Sequence, residues 1–326
     1  FMGVGIPGLI LALFTWQIKE PKRGMSDGIE TPEHPHPFKE MLNEFVGITP
    51  LALLGSKQYK KLLGINFLIA LMIAIASYFL IILTGDMVQW IAFGFGCYVV
   101  TCWIQGLQIR DYATYSMIFK SKALLFSVIG FPFLSFITYS GAAFGPAFYM
   151  RNFGVSEGEV ATVLGLTAAI AGMTGVIFGG IIGDKLRKKY VNGRFYVAFL
   201  VILLIAPFNL GVLYSENLYV SYIWNFIVQL ISPMWVGIAP AIVADLVMPR
   251  MRAIAGAFYI LMVSMLGLAL GPYSVGLLSD TLISQGYSDA EGLKTALAAS
   301  MGVLIISATT LLLACRYLPG DESSKL

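Results

Sequence analysis

The stretch GGIIGDKLRKKYVNGR, Gly179–Arg194, decides the reading of this chain. Its first half continues a long apolar run, and directly after it come one acid and four bases: Asp184, Lys185, Arg187, Lys188 and Lys189. A helix that is oily along its length and ends in such a cluster needs hydrocarbon at its side and water or headgroups at its end.

Composition says the same of the whole chain. The 326 residues are 58% hydrophobic and 12% charged, with a mean hydropathy of +0.80, far outside the range of soluble domains. Nine apolar runs stand out, roughly 1–18, 62–83, 88–108, 123–150, 160–183, 195–214, 218–244, 253–279 and 295–315, and none contains a charged residue. Each is near the ~20 residues that cross ~30 Å of hydrocarbon. Unpaired backbone groups are costly in lipid, so these runs read as helices, and their lack of strict alternation argues against a β-barrel. The expected fold is an all-α polytopic membrane bundle.

Loop charge orients it, because cytoplasmic loops collect Lys and Arg. With the first span ending inside, all but Arg151 and Lys294 of the 21 basic residues are cytoplasmic. The amino end is then outside and the carboxyl end inside. The net charge of +3 reports this orientation and calls for no nucleic-acid partner. The chain starts within an apolar span with no initiating Met and no signal-peptide cleavage site, so it is expected to be a carboxyl-terminal portion of a longer protein.

Between residues 19 and 61 lies a polar linker, expected on the cytoplasmic side. Its first part is rich in Pro and charge and reads as extended. His34 and His36 within it have no third ligand nearby, and Cys97, Cys102 and Cys315 read as apolar packing residues; neither a metal nor a cofactor is expected. Next, Phe38, Met41, Leu42, Phe45 and Val46 fall on one helical face opposite Lys39, Glu40, Asn43 and Glu44. Two readings stand side by side: a helix on the inner membrane surface, or one packed on the protein's own cytoplasmic loops. The runs within 62–108 are joined by a turn of about four residues at Asp86, which makes them an antiparallel pair. Residues 123–315 form a six-span block with short loops, and 316–326 a cytoplasmic tail.

The spacing Gly180, Asp184, Lys185, Lys188, Lys189 resembles the pattern G-x-x-x-D-[RK]-x-G-[RK]-[RK] found between consecutive helices of the major facilitator superfamily. Arg187 stands where that pattern has Gly, which would loosen the turn. A loop that only anchors topology explains the bases but not Asp184, nor Gly179, Gly180 and Gly183, which permit close helix approach. The resemblance implies a cytoplasmic gate. There Asp184 and Asp245 would pair with Arg250 and Arg252 at the start of the facing helix while the inner mouth is closed. A second signature, MLGLALGPYSVGLLSD over 265–280, places Gly267, Gly271, Pro272 and Gly276 where a membrane helix bends and packs closely. It is similar to the Gly-Pro motif of the superfamily's fifth helix, here at the pseudo-symmetric eleventh. With FGPAFYMRNFGVSEGEVATVLGL and MPRMRAIAGA, these motifs resemble the spinster-like branch over about 140–285. The first span would then be helix 6, the block helices 7 to 12, and the pair at 62–108 an insertion.

The resemblance places a substrate cavity between two six-helix halves near the bilayer midplane, lined on this side mainly by helices 7, 8, 10 and 11. Tyr222, Asn225, Gln229 and Ser232 form a polar stripe on the tenth helix. The seventh offers Ser135, Thr138 and Tyr139, and the eleventh Tyr259. Each could equally be a buried amide or hydroxyl joining helices. No span carries a charge, so a coupling group for a proton or sodium ion is not found here. An uncharged wall rich in aromatic residues and Met suits an amphiphile better than a sugar. The resemblance likewise points to lipid-like molecules, with drug-like compounds and polar metabolites as alternatives. Three function classes follow: a secondary active transporter, a non-transporting scaffold or sensor, and a membrane enzyme. The last lacks clustered nucleophiles or carboxylates in its spans. The reading adopted is a monomeric transporter in a bacterial inner membrane, surrounded by lipid and moving a small-molecule substrate.

Overall fold

A computed structural model describes residues 2–18, 38, 42, 45–55 and 59–323. It divides into two compact units, Phe1–Phe45 and Val46–Leu326. In the first, helix α1 runs over Met2–Trp16. Phe38, Leu42 and Phe45, and Val46 in the second unit, are helical and exposed. Met41, the polar residues Lys39, Glu40, Asn43 and Glu44, and both histidines lie outside the described residues.

The second unit begins with a 3-10 turn, Pro50–Gly55, and continues through α2 (Tyr59–Thr84), α3 (Met87–Arg110) and α4 (Tyr112–Lys120). Then come α5 (Lys122–Phe153), α6 (Glu157–Lys189), α7 (Gly193–Tyr214), α8 (Leu218–Asp245), α9 (Pro249–Ser284) and α10 (Asp289–Glu322). Among the described residues, eight helices are long and apolar enough to cross a membrane: α2, α3 and α5 to α10. The last six are the block expected from the sequence. The short helix α4 was not expected in the 109–122 loop.

Local chemistry sets the ends of these helices. Ser156 Oγ accepts from the Glu159 amide at 3.3 Å, and Ser288 Oγ from the Glu291 amide at 3.3 Å. Each is followed by acids in the first helical turn, which satisfies orphan donors and complements the helix dipole. Gly154, at φ 65°, closes α5 in the left-handed conformation that glycine adopts without strain.

Several block helices are interrupted. A π-helical turn covers Ala168–Gly172 in α6, and another covers Val263–Ala269 in α9, just before Pro272. Ser232–Pro233 breaks α8. In α8 and α9 a proline, which lacks the N–H its helix needs and collides with the preceding turn, stands at or just after the break, so the ladder rearranges there; α6 has its π turn without one. Around these breaks α5 is the centre. Phe131 stacks between Phe195 of α7 at 6.5 Å and Trp235 of α8 at 6.4 Å. On its α10 side, Ser307 Oγ donates to the Gly130 carbonyl at 2.9 Å.

Candidate functional site

At one rim of the block, α6 ends and α7 begins after the turn at 190–192. Arg194, in the first turn of α7, donates to Asp184 Oδ1 from Nη2 at 2.8 Å and from Nε at 3.1 Å. Its Nη1 pairs with Asp245, at the end of α8. Arg187 Nε lies 3.7 Å from the same Asp245 carboxylate, and Arg187 Nη2 pairs with Glu322, at the end of α10. Five side chains thus join α6, α7, α8 and α10. Arg194 is a cation at the positive end of its own helix, an unfavourable place that two carboxylates offset.

This corrects the expected partners. Among the described residues, Asp184 and Asp245 are held by Arg194 and Arg187, not by Arg250 and Arg252. The short turn brings α7 straight back beside α6, so a base ten positions along the chain reaches Asp184 first. Arg250 acts elsewhere. The Asp111 carboxyl is held below the ordinary carboxylate range, chiefly by hydrogen bonds from the Thr114 hydroxyl and amide, with a further contribution from the Arg250 guanidinium. Lys185 and Lys188 are exposed, and neither makes an ion pair among the described residues. Arg187, in the place of the pattern's Gly, donates to the Val191 carbonyl at 2.7 Å and so bridges the turn itself.

The glycine face of α6 is also shifted from the one expected. Gly175, Gly179 and Gly183 press on α8 at Leu230, Met234 and Ile238. Gly180 instead forms the bed for Gly237, where a Cβ would lie 3.1 Å from the Gly180 nitrogen. In α9, Gly267 meets Ser135 and the Pro132 carbonyl. A Cβ on Gly271 would fall 2.8 Å from the Phe136 carbonyl oxygen, and one on Gly276 3.3 Å from the Phe144 ring. Gly267, Gly271 and Gly276 therefore lay α9 against α5, with the π turn and Pro272 on the same stretch.

A cavity of about 120 Å³ lies inside the block. Thr138 of α5 and Asn225, Gln229 and Ser232 of α8 line it, with Asn209 of α7 and Ser300 of α10. The Thr138 and Ser232 hydroxyls are 2.9 Å apart. Asn225 Nδ2 is buried and has no hydrogen-bond partner among the described residues. Counting α5 as the seventh helix, the walls come from the seventh, ninth, tenth and twelfth, whereas the seventh, eighth, tenth and eleventh were expected. The difference follows from where this cavity lies, inside the block and not between two halves: the polar stripe of α8 turns into its own bundle, where hydrogen-bonding groups escape hydrocarbon.

The other four residues expected at the cavity lie elsewhere. Ser135 is buried and donates to the Pro132 carbonyl at 2.7 Å. Tyr259 is buried away from the cavity, and Tyr139 is exposed at the α5 surface. Tyr222 lies on the adjoining face of α8 with Tyr219, Ile223 and Phe226, its ring 4.9 Å from that of Tyr149. Asn209 was missed as a lone amide in an apolar span, and Ser300 as one of several hydroxyls in a span that also holds Thr295, Ser307, Thr309 and Thr310.

No family model matches the chain. A 163-residue stretch, 50% of this chain, is 28% identical to an MFS-type efflux pump of Mycolicibacterium smegmatis and covers 38% of that protein. Over 183 residues the chain is 32% identical to Protein spinster homolog 1 of Mus musculus, covering 50% of this chain and 34% of that one. Over 173 residues it is 28% identical to Protein spinster of Drosophila melanogaster, covering 50% of this chain and 29% of that one. The matched stretch is thus well under half of each curated relative. In structure, the chain is similar to a bacterial homologue of the human lysosomal transporter Spinster, crystallised in an inward-facing and unoccupied conformation. The TM-score is 0.58 at 19% identity, covering 70% of this chain and 58% of that one. This is an integral membrane protein with the major facilitator superfamily fold. Half of its length is similar to spinster proteins.

Proposed function

We propose that this chain belongs to a secondary active transporter that moves a small amphiphilic or lipid-like molecule by alternating access, and that its work is transport rather than catalysis. The observation that carries the reading is the cavity. Amides and hydroxyls from four helices converge in an otherwise apolar space with no charged group in its lining, as suits an uncharged polar moiety attached to an apolar one. The efflux pump and the lysosomal transporter homologue among its relatives support the same class. On this reading Arg194, Asp184, Asp245, Arg187 and Glu322 form the cytoplasmic rim of one transporter half, and α9 bends at Val263–Pro272. On the same reading the rim and the carboxyl terminus face the cytoplasm of a bacterium from its inner membrane, an orientation the basic loops support, and the protein acts as a monomer. A coupling proton or sodium ion would need an ionisable group beyond this cavity's lining.

The test is uptake of labelled lysolipids into proteoliposomes of the full-length protein, with and without a proton gradient. Saturable uptake is expected, reduced about tenfold by Asn225→Leu, the scale of losing a buried hydrogen-bond donor at a binding site. Correctly inserted protein that takes up no more lysolipid than empty vesicles would overturn the substrate class.

A further inference from the structure

The antiparallel pair α2–α3 takes no part in the reading above, yet its contacts with the block fall at distinctive places. All lie along α9. Trp103 of α3 stacks on Phe258 with centroids 5.7 Å apart and planes at 23°, and Phe119 of α4 packs edge-on to Phe258 at 5.1 Å. Further along, Gly96 leaves room for Met265, whose methyl would lie 3.1 Å from a Cβ placed there. At the hairpin tip, Tyr273 Oη donates to Asp86 Oδ2 at 2.7 Å, and Trp90 meets the Tyr273 ring edge-on at 5.4 Å. Trp90 is itself fixed by a hydrogen bond from Nε1 to Thr84 Oγ1 at 2.7 Å.

Phe258 and Tyr273 are separated by roughly 22 Å of helical rise, most of the ~30 Å hydrocarbon thickness. Met265 lies inside the π turn, Phe258 before it, and Tyr273 directly after Pro272. The three contacts therefore straddle the segment where α9 is weakest in its own hydrogen bonding. The hairpin is rigid enough to matter. Asn66 Nδ2 of α2 donates to Gln105 Oε1 of α3 at 2.8 Å, and the Tyr98 hydroxyl donates to Asn66 Oδ1 at 3.0 Å. Asn66 and Gln105 are buried between the two helices. Polar pairs of this kind hold helices together where hydrophobic attraction between them is absent.

We propose that the α2–α3 hairpin is a membrane-embedded splint for α9. It grips the helix on both sides of the π turn and limits its bending, and Asp86–Tyr273 is the tie at the tip. On the opposite side α9 is laid on α5 by Gly267 and Gly271, so the weak segment is held between two supports. An insertion that merely filled lipid space would meet the block through interchangeable apolar side chains. This one uses a carboxylate-to-phenol hydrogen bond and a glycine seat for one particular methionine.

The experiment is hydrogen exchange by mass spectrometry on the full-length protein in lipid nanodiscs, which reads α9 directly and is independent of what the protein carries. Tyr273→Phe keeps the ring contact with Trp90 and removes the tie. Amides of 263–272 should then exchange about fivefold faster, the population change that one net hydrogen bond supplies. The double variant Tyr273→Phe/Trp90→Ala should exchange faster still, with α7 unchanged in both. Two results overturn the proposal. One is exchange at 263–272 within twofold of the parent in the double variant, whether or not the hairpin tip loosens. The other is equal acceleration in α7, which would make the contacts a general contribution to stability.

Discussion

Helices α2 and α5 both have the length and composition to cross a membrane, but their packing inverts what their apolarity suggests. The most apolar stretch of α2 has a mean hydropathy of 2.7 and none of it is buried, whereas that of α5 has 1.7 and 67% of it is buried. In water the oilier helix would form the core. In a bilayer, lipid tails are as apolar as leucine, so burying leucine gains little and close packing decides instead. Hence α5 is buried through Ser127, Gly130, Ser135 and Ser140 among its aromatic residues, while Leu68, Leu71, Phe79 and Leu83 of α2 stay exposed. Apolarity here marks the lipid surface, and small residues mark the core.

The sharpest way to break this comparison is to enlarge one glycine in each region. At Gly271 a side chain would enter the Phe136 backbone, which cannot rotate away, whereas at Gly64 of α2 nothing lies within 4 Å. Gly271→Leu should cost about 3 kcal/mol, at the upper end for overpacking. Gly64→Leu should stay within about 0.5 kcal/mol, as other surface substitutions do. Thermal unfolding of the two purified variants checks this, and equal melting shifts would end the distinction.

The rim network is expected to give the next largest effect, and it too separates buried from exposed members. The Arg194 side chain is 16% exposed and serves two carboxylates, whereas that of Asp184 is 61% exposed. Arg194→Gln leaves Asp184 without its cation and Asp245 with only Arg187, 3.7 Å away, and should destabilise the block by about 2 kcal/mol, below the cost of breaking a fully buried pair. Asp184→Asn should cost less than about 1 kcal/mol, the range of exposed pairs, and its effect should fade in high salt. Denaturant midpoints at two salt concentrations distinguish the two variants. If Asp184→Asn proves the costlier, the hub lies on the other side of the pair.

The same contrast explains what was legible in the sequence. The spans in 62–315 were visible because lipid-facing runs are long and uninterrupted, and the glycine-proline segment was visible because glycine spacing survives any folding. Arg194 was passed over as one more base in a topological loop. Its role depends on a turn of three residues that brings α7 back onto α6, and hydropathy carries no record of turn geometry. The cavity was half legible. The stripe Asn225, Gln229 and Ser232 announced one wall, but Asn209 and Ser300 enter from helices distant in sequence. Nothing in an apolar span says which of its few polar side chains faces a cavity. The position of α2–α3 along α9 was not legible at all, because Trp90, Trp103, Phe258 and Tyr273 are of a kind that also face lipid, and nothing in the sequence pairs Asp86 with Tyr273 or Gly96 with Met265.

Asp111, between α3 and α4, stands at the joint of the two regions and offers the smallest expected effect. It caps α4: Oδ1 accepts from the Thr114 amide at 3.0 Å, and the Thr114 hydroxyl donates to Oδ2. Removing a cap of this kind costs about 1 kcal/mol, so Asp111→Ala should be destabilised by about that much at neutral pH. The sign of its pH dependence follows from the shift. Its folded pKa lies below the ordinary value because the charged form accepts these hydrogen bonds and has Arg250 nearby. The stabilisation is therefore complete above the unfolded-state pKa and is lost as pH falls through the lower, folded-state value. Asp111→Asn can still cap but cannot titrate, so it should cost less than Asp111→Ala at pH 7 and show a shallower loss of stability on acidification than the parent. Unfolding midpoints from neutral pH down through the carboxylate range measure this. A parent and an Asn variant with superimposable acid profiles would mean that the charge on Asp111 does not help to fix the joint, and that its cap geometry alone does.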